Sequence, residues 1–168
     1  MALIIRTADG NDLAAVLSVG HRTWPVTYEP IAGADYVAMG LAKWWTEDAT
    51  IPAIRAGRVT VAELDGEVVG LASVGPHKTD HKTDLVLWKL YVLPEHQGRA
   101  IGSALFDSVV ARARGDYSQI RATYLVGNRL AQTFYRGKGF VEVGRESGGE
   151  GIPESIWMQL VLTGEESS

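Results

Sequence analysis

Leu90 to Ala113 reads LYVLPEHQGRAIGSALFDSVVARA, and two different periods meet inside it. Leu90, Tyr91, Val92 and Leu93 form a short β-rich apolar run that stops at Pro94, which has no N–H to give a sheet ladder. From Ile101 the spacing becomes helical. Ile101, Gly102, Leu105, Phe106, Val109, Val110 and Ala113 fall on one face, with Ser103, Asp107 and Arg114 opposite. The stretch predicts a strand, a loop and an amphipathic helix. Within the loop, Gln97 to Ser103 sets Gly98 and Gly102 where backbone must come close to a ligand. They lie directly before a helix N-terminus whose free N–H groups and dipole favour an anion. These features predict a phosphate site.

Dinucleotide folds and P-loop nucleoside triphosphatases use the same device, but the chain contains neither G-x-G-x-x-G nor G-x-x-x-x-G-K-[ST]. The GKG at Gly137 to Gly139 lacks the upstream glycine and the Ser or Thr. A tight βα turn with no ligand has the same local pattern. Gln97-Gly98-Arg99-Ala100-Ile101-Gly102, following LYVLPEH, resembles the acetyl-CoA signature of the GNAT acetyltransferase superfamily, [RQ]-x-x-G-x-[GA]. Gln97 and Gly102 match its two ends. Ala100 replaces the middle glycine, so the loop is expected to hold there a conformation that an L-residue tolerates.

At 168 residues, 46% hydrophobic and 21% charged, the chain suits one globular domain over residues 1–163 with a polar, disordered tail over 164–168. The formal net charge is −4 and no Lys/Arg-rich run occurs, which argues against nucleic-acid and membrane partners and suits a cationic substrate. The absence of Cys excludes disulfides, thiolate metal sites and a Cys nucleophile. With no apolar run near 20 residues and no signal-peptide pattern, a cytoplasmic protein is expected.

Along the chain, Ala2 to Arg6 predicts a strand. Thr7 to Asn11 supplies a turn before a helix whose buried face carries Leu13, Val16, Leu17 and Gly20. His21 to Tyr36 holds Pro25, Pro30 and Gly33, so it is expected to be a broken helix or lid rather than one continuous helix. Helical turns follow from Asp35 towards Glu47 and near Ile51 to Ala56. Val59 to Leu64 and Val68 to Val74 flank Asp65-Gly66, a strong hairpin signal. The repeat HKTD at His77 to Asp80 and His81 to Asp84 offers two His and two Asp, but in a polar loop that fixes no chelate geometry; a solvated hairpin loop and no metal are expected. Leu85 to Leu93 is almost wholly apolar and should be a central strand covered on both faces. A strand over Ile120 to Val126 and a helix over Arg129 to Lys138 follow. Leu130, Ala131, Phe134 and Tyr135 are to pack this helix and Gly139 is to end it. Phe140 to Val143 and Ser155 to Leu162 complete the strands.

This order is an α+β, α/β/α-layered arrangement on a mixed sheet of about seven strands with flanking helices. It resembles the GNAT acyltransferase fold over nearly the whole chain. Asn128 to Phe140, NRLAQTFYRGKGF, is similar to that family's N-x-x-A-x-x-[FL]-Y-x-x-x-G-F segment at every specified position.

The resemblance implies an acetyl-CoA-dependent N-acetyltransferase. It would move an acetyl group directly to a primary amine of a small molecule or peptide in a ternary complex, with CoA as product. The loop N–H groups of Gly98, Arg99, Ala100, Ile101, Gly102 and Ser103 would take the pyrophosphate, with Arg99 as charge partner and Gln97 positioning the loop. The strand edge at Leu90, Tyr91 and Val92 would pair with the pantetheine amides. Asn128, with Ala131 and Tyr135 on the same helix, would lie against that arm; Asn128 is equally a preferred N-cap. Tyr135 would act as general acid towards the departing thiolate, or serve only as a packed aromatic. Many relatives carry a Glu on the long strand, but Leu85 to Val92 has no acid and only Trp88 and Lys89 as polar interior residues. Asp84, Glu63 and His21 are the candidate bases. Trp24 and Tyr28 in the aromatic segment are candidates for the acceptor pocket, or for core. A non-catalytic acyl-CoA-binding or sensing module is the alternative, as is an enzyme using the same loop for a different nucleotide or acyl donor, such as a longer acyl-CoA, and either monomer or homodimer fits.

Overall fold

The computed structural model describes residues 2–76 and 84–162. His77 to Thr83, which hold most of the HKTD repeat, and the tail from residue 163 lie outside the described residues. Seven strands form one sheet in the order β1-β2-β3-β4-β5-β7-β6. They are β1 (Leu3–Thr7), β2 (Val59–Leu64), β3 (Glu67–Pro76), β4 (Asp84–Val92), β5 (Gln119–Leu125), β6 (Val141–Glu146) and β7 (Ser155–Val161). All pairings are antiparallel except β4 with β5. The mixed sheet and its flanking helices are those expected. Asp65 and Gly66 both take positive φ, as a two-residue hairpin turn requires.

Helix α1 (Leu13–Ala32) begins after a capping box, in which Asp9 accepts from Asn11 N and Asp12 accepts from Asp9 N. It then runs unbroken through Pro25 and Pro30 to Gly33. The break expected within His21 to Tyr36 is present, but at neither proline. Each proline removes one N–H, to the carbonyls of His21 and Val26, but the intervening turns bury Trp24 and Tyr28, and that packing outweighs the lost bonds. The break falls at Gly33, whose φ of 91° ends α1 and starts α2 (Ala34–Trp44). On α1, Val16 and Gly20 are buried as expected, Leu13 and Leu17 are half-buried, and Val19 joins the buried face. Backbone approaches at Gly20 and Gly40 are close: a Cβ there would lie 2.0 Å from the rings of Trp45 and Trp24. Helix α3 (Glu47–Arg55) is capped by Thr46.

Helix α4 (Ile101–Ala113) buries Ile101, Leu105, Phe106, Val109 and Ala113, as the pattern predicts. Helix α5 (Arg129–Gly137) buries Tyr135, but Leu130 is 77% exposed, which corrects its assignment to the packed face. Leu130 sits in the first turn, ahead of the stripe formed by Ala131, Phe134 and Tyr135. Strand β4 is buried on both faces only over Asp84–Leu87; Trp88 is exposed and the residues to Tyr91 are half-buried, so the expectation of full coverage holds for its first half alone.

Candidate active site

The half-covering of β4 has a cause in the register. Strand β4 pairs with β5 only from Asp84↔Gln119 to Leu87↔Ala122. Beyond that, β4 stays bonded to β3 as far as Val92↔Gly70 and β5 stays bonded to β7 as far as Leu125↔Ser155. The two central strands splay apart, and among the described residues no strand pairs with the β5 side of β4 beyond Leu87. Leu93 N donates to Val69 O at 2.8 Å, so by strand alternation Tyr91 turns its main chain to β3, while Leu90 and Val92 turn theirs to the splay. Gln97 Nε2 donates to Val92 O at 3.0 Å and ties the following loop to this edge.

At the end of the splay the loop turns through two left-handed residues, Gly98 (φ 81°) and Ala100 (φ 62°, ψ 16°). Ala100 therefore occupies a region that disfavours side chains, contrary to the expected conformation; the turn into α4 needs that geometry whatever residue stands there. Ala100 is the N-cap and offers no side-chain acceptor, so the first N–H groups of α4, on Ile101, Gly102 and Ser103, have no partner within the helix. Arg99 is exposed beside them. Lys138 Nζ, which the sequence analysis missed, donates to Ser103 Oγ and lies 3.2 Å from Asp107 Oδ1, adding a cation to this corner. Its only signal was its place inside the NRLAQTFYRGKGF segment.

Against the splay lies a cavity of about 610 Å³. Its walls come from α1 and α2 (Trp24, Tyr28, Tyr36, Trp44), from β4 (Trp88, Lys89, Tyr91) and from β5 and β7 (Thr123 to Leu125, Ser155). Trp24 stacks on Tyr36 at 5.6 Å and 11°. Both Trp24 and Tyr28 are thus buried among aromatics and also line the cavity. The Tyr28 and Tyr91 hydroxyls are 2.8 Å apart, and burial pushes Tyr28 up to about 12 and Tyr91 well above its ordinary value. Tyr135 is buried and is not among the residues that line the cavity. It stacks on Tyr124 (6.2 Å, 26°), which does line the cavity, and burial raises its phenol further, with Tyr28 adding to the effect. Asn128 Oδ1 accepts from Ala131 N at 3.2 Å, the N-cap of α5, and Ala131 is half-buried beneath it.

The three candidate bases are scattered. Glu63 bonds Arg6 across β1 and β2, and Asp84, at the far end of β4, is buried against Gln119 and Arg121. His21 Nε2 meets Trp45 O at 3.0 Å, joining α1 to the C-terminus of α2. None of them lines the cavity. Besides the tyrosines, the charged side chains that the structure brings there are Arg58, which is exposed, and Lys89, which is half-buried. Its Nζ donates to Trp44 O at 2.6 Å and sits 4.0 Å from the centre of the Trp45 ring, and burial lowers its amine to about 8. A lone cation within an apolar strand was the available signal, but it carries no role until the fold shows which side of the sheet it faces.

A family model described as an acetyltransferase (GNAT) domain matches residues 55–142. The chain is 30% identical over 142 residues to an N-acetyltransferase of Mycobacterium tuberculosis that is named uncharacterized, covering 79% of this chain and 83% of the relative. Among solved structures, the PaiA N-acetyltransferase of Thermoplasma acidophilum in complex with coenzyme A superposes with a TM-score of 0.81 at 18% identity, over 96% of this chain and 99% of that one. The yncA protein of Salmonella typhimurium, solved with its cofactor acetyl-CoA, superposes with a TM-score of 0.72 at 24% identity, over 100% and 98%.

Proposed function

The chain belongs to the GNAT acetyltransferase family and is an N-acetyltransferase; from that premise we propose that acetyl-CoA lies in the splay between β4 and β5 and passes its acetyl group to a primary amine held in the aromatic cavity. The observation that carries this is the loss of β4–β5 pairing after Leu87 and Ala122. It leaves a strand edge with an anion cradle at one end and a cavity at its side.

In this scheme the pantetheine amides pair with the main chain of Leu90 and Val92 as an added strand. The pyrophosphate meets the N–H groups of Ile101 to Ser103, with Arg99 and Lys138 as cations. Asn128 stays the α5 cap, and its helix sets Tyr135 beside the sulfur. The acceptor enters as an ammonium, which must lose a proton before it attacks. Among the described residues no carboxylate lines the cavity, so the apolar walls lower the acceptor's pKa and its proton leaves to solvent. The amine nitrogen then bonds to the thioester carbonyl carbon, a main-chain N–H of Leu90 or Val92 donates to the oxyanion, and the C–S bond breaks. Tyr135, which keeps its proton at neutral pH, donates a hydrogen bond to the departing thiolate; the second amine proton ends on the CoA sulfur.

Thermal shift with CoA, acetyl-CoA, longer acyl-CoAs and ATP tests the cofactor site. At about a hundredfold over the dissociation constant, a bound ligand stabilises the fold by roughly 2.7 kcal/mol. Stabilisation by CoA and acetyl-CoA but not ATP is expected. Equal stabilisation by ATP, or none by any CoA species, overturns the proposal.

A further inference from the structure

Resting on the acetyl-transfer proposal above, we infer that the amine acceptor carries a carboxylate, which Lys89 recognises, on a flat or bulky apolar body: an aromatic or large apolar amino acid rather than a polyamine.

The chain as a whole is acidic, but the cavity wall is not. Among the described residues that line it, two carry positive charge, Lys89 and Arg58, and none is Asp or Glu. A second ammonium on the acceptor would face two like charges with no counter-charge.

Lys89 is the centre of this arrangement. Trp44 O takes one of its three N–H bonds, and the Trp45 ring fixes the ammonium in place. Two N–H donors remain for a carboxylate. Burial makes the unpaired charge costly, and that cost falls when an anion arrives. The other walls hold Tyr28, Tyr36, Trp44 and Trp88, an aromatic lining that suits a ring or a long apolar side chain.

The test reads binding directly, so it does not depend on turnover. N-acetylphenylalanine, its carboxamide and spermidine are titrated by tryptophan fluorescence into the protein with CoA, after thermal shift has shown that CoA binds. Absence of that first shift is failure of the cofactor proposal and is read separately. The expected result is at least tenfold tighter binding of the carboxylate than of the carboxamide. That preference should vanish in Lys89→Met, verified as folded by its melting curve, and persist in part in Lys89→Arg. Acetylation of phenylalanine should exceed that of phenethylamine by a similar factor, through KM more than kcat. Equal binding of the two, no binding of either, tighter binding of spermidine, or an undiminished preference in Lys89→Met overturns the inference.

Discussion

Two side chains carry most of the proposed chemistry, and burial acts on both in opposite directions. Tyr135 is a phenol whose ionised form is disfavoured by its surroundings, so it is protonated across the range in which an acetyltransferase works. Tyr135→Phe keeps the ring packing against Tyr124, Phe134 and Phe140 and removes only the hydroxyl. Turnover should fall by about 10²–10³-fold with the melting temperature nearly unchanged; normal turnover would remove Tyr135 from the mechanism. Lys89 is a cation whose charged form is disfavoured. Its folded pKa of about 8 lies below the value near 10.4 of an unfolded lysine. Between these two values the unfolded chain binds more protons, so Lys89's contribution to stability rises as pH climbs through that window, and below about 8 the burial cost is felt in full. Lys89→Met should therefore be the more stable protein at pH 7, by a few degrees in Tm, and the two melting curves should converge towards pH 10. A variant that melts lower at pH 7 would show that the Trp44 and Trp45 contacts outweigh the burial of charge.

At the scale of elements, the site depends on two strand ends and one helix start. Strands β4 and β5 are parallel and share only four register pairs, after which each follows its outer neighbour, and the right-handed twist of the sheet carries them apart. The start of α4 depends on the left-handed turn at Ala100. Ala100→Gly relieves the Cβ of that turn and should stabilise the fold by about 1 kcal/mol while leaving CoA affinity equal or better. A destabilised variant would mean that the unfolded-state entropy of glycine outweighs the relief. Helix α1 illustrates the converse, where packing overrides a local rule. Proline disfavours a helix interior, but Trp24 and Tyr28 on the same turns are buried against α2 and β4, and the helix continues to the first residue that has both weak packing and access to positive φ, Gly33.

Across the whole molecule, the first strand is held to the rest by a charge network as well as by the sheet. Arg6 on β1 bonds Asp12 at 2.8 Å and Glu63 on β2 at 3.0 Å. The Arg6 guanidinium holds the Asp12 carboxyl below its ordinary value, with desolvation opposing. A depressed carboxylate contributes stability that is present above the unfolded pKa, near 3.9, and is lost as pH falls through the folded one. Arg6→Gln should thus melt well below the parent at pH 7, and the gap should narrow as pH drops below about 4. A gap independent of pH would assign the loss to packing alone.

The sequence by itself determined what is local or repeated at short range: the period change at Ile101, the Asp65-Gly66 hairpin, and the two motifs, Gln97 to Gly102 and Asn128 to Phe140, that carry the resemblance to the family. Each is set by the chemistry of a few neighbouring residues and survives in any context. Only the tertiary structure decided where β4 parts from β5, that Ala100 is left-handed, that Pro25 lies inside a helix, and that Leu130 faces outwards. It also decided that Lys89 faces the cavity while Glu63, Asp84 and His21 face other partners. Those outcomes depend on which distant surfaces meet. A strand residue's side follows from its alternation, but what stands on that side, whether a carboxylate, an aromatic wall or a free edge, is supplied by segments tens of residues away, and the gain from burying them overrides local preference.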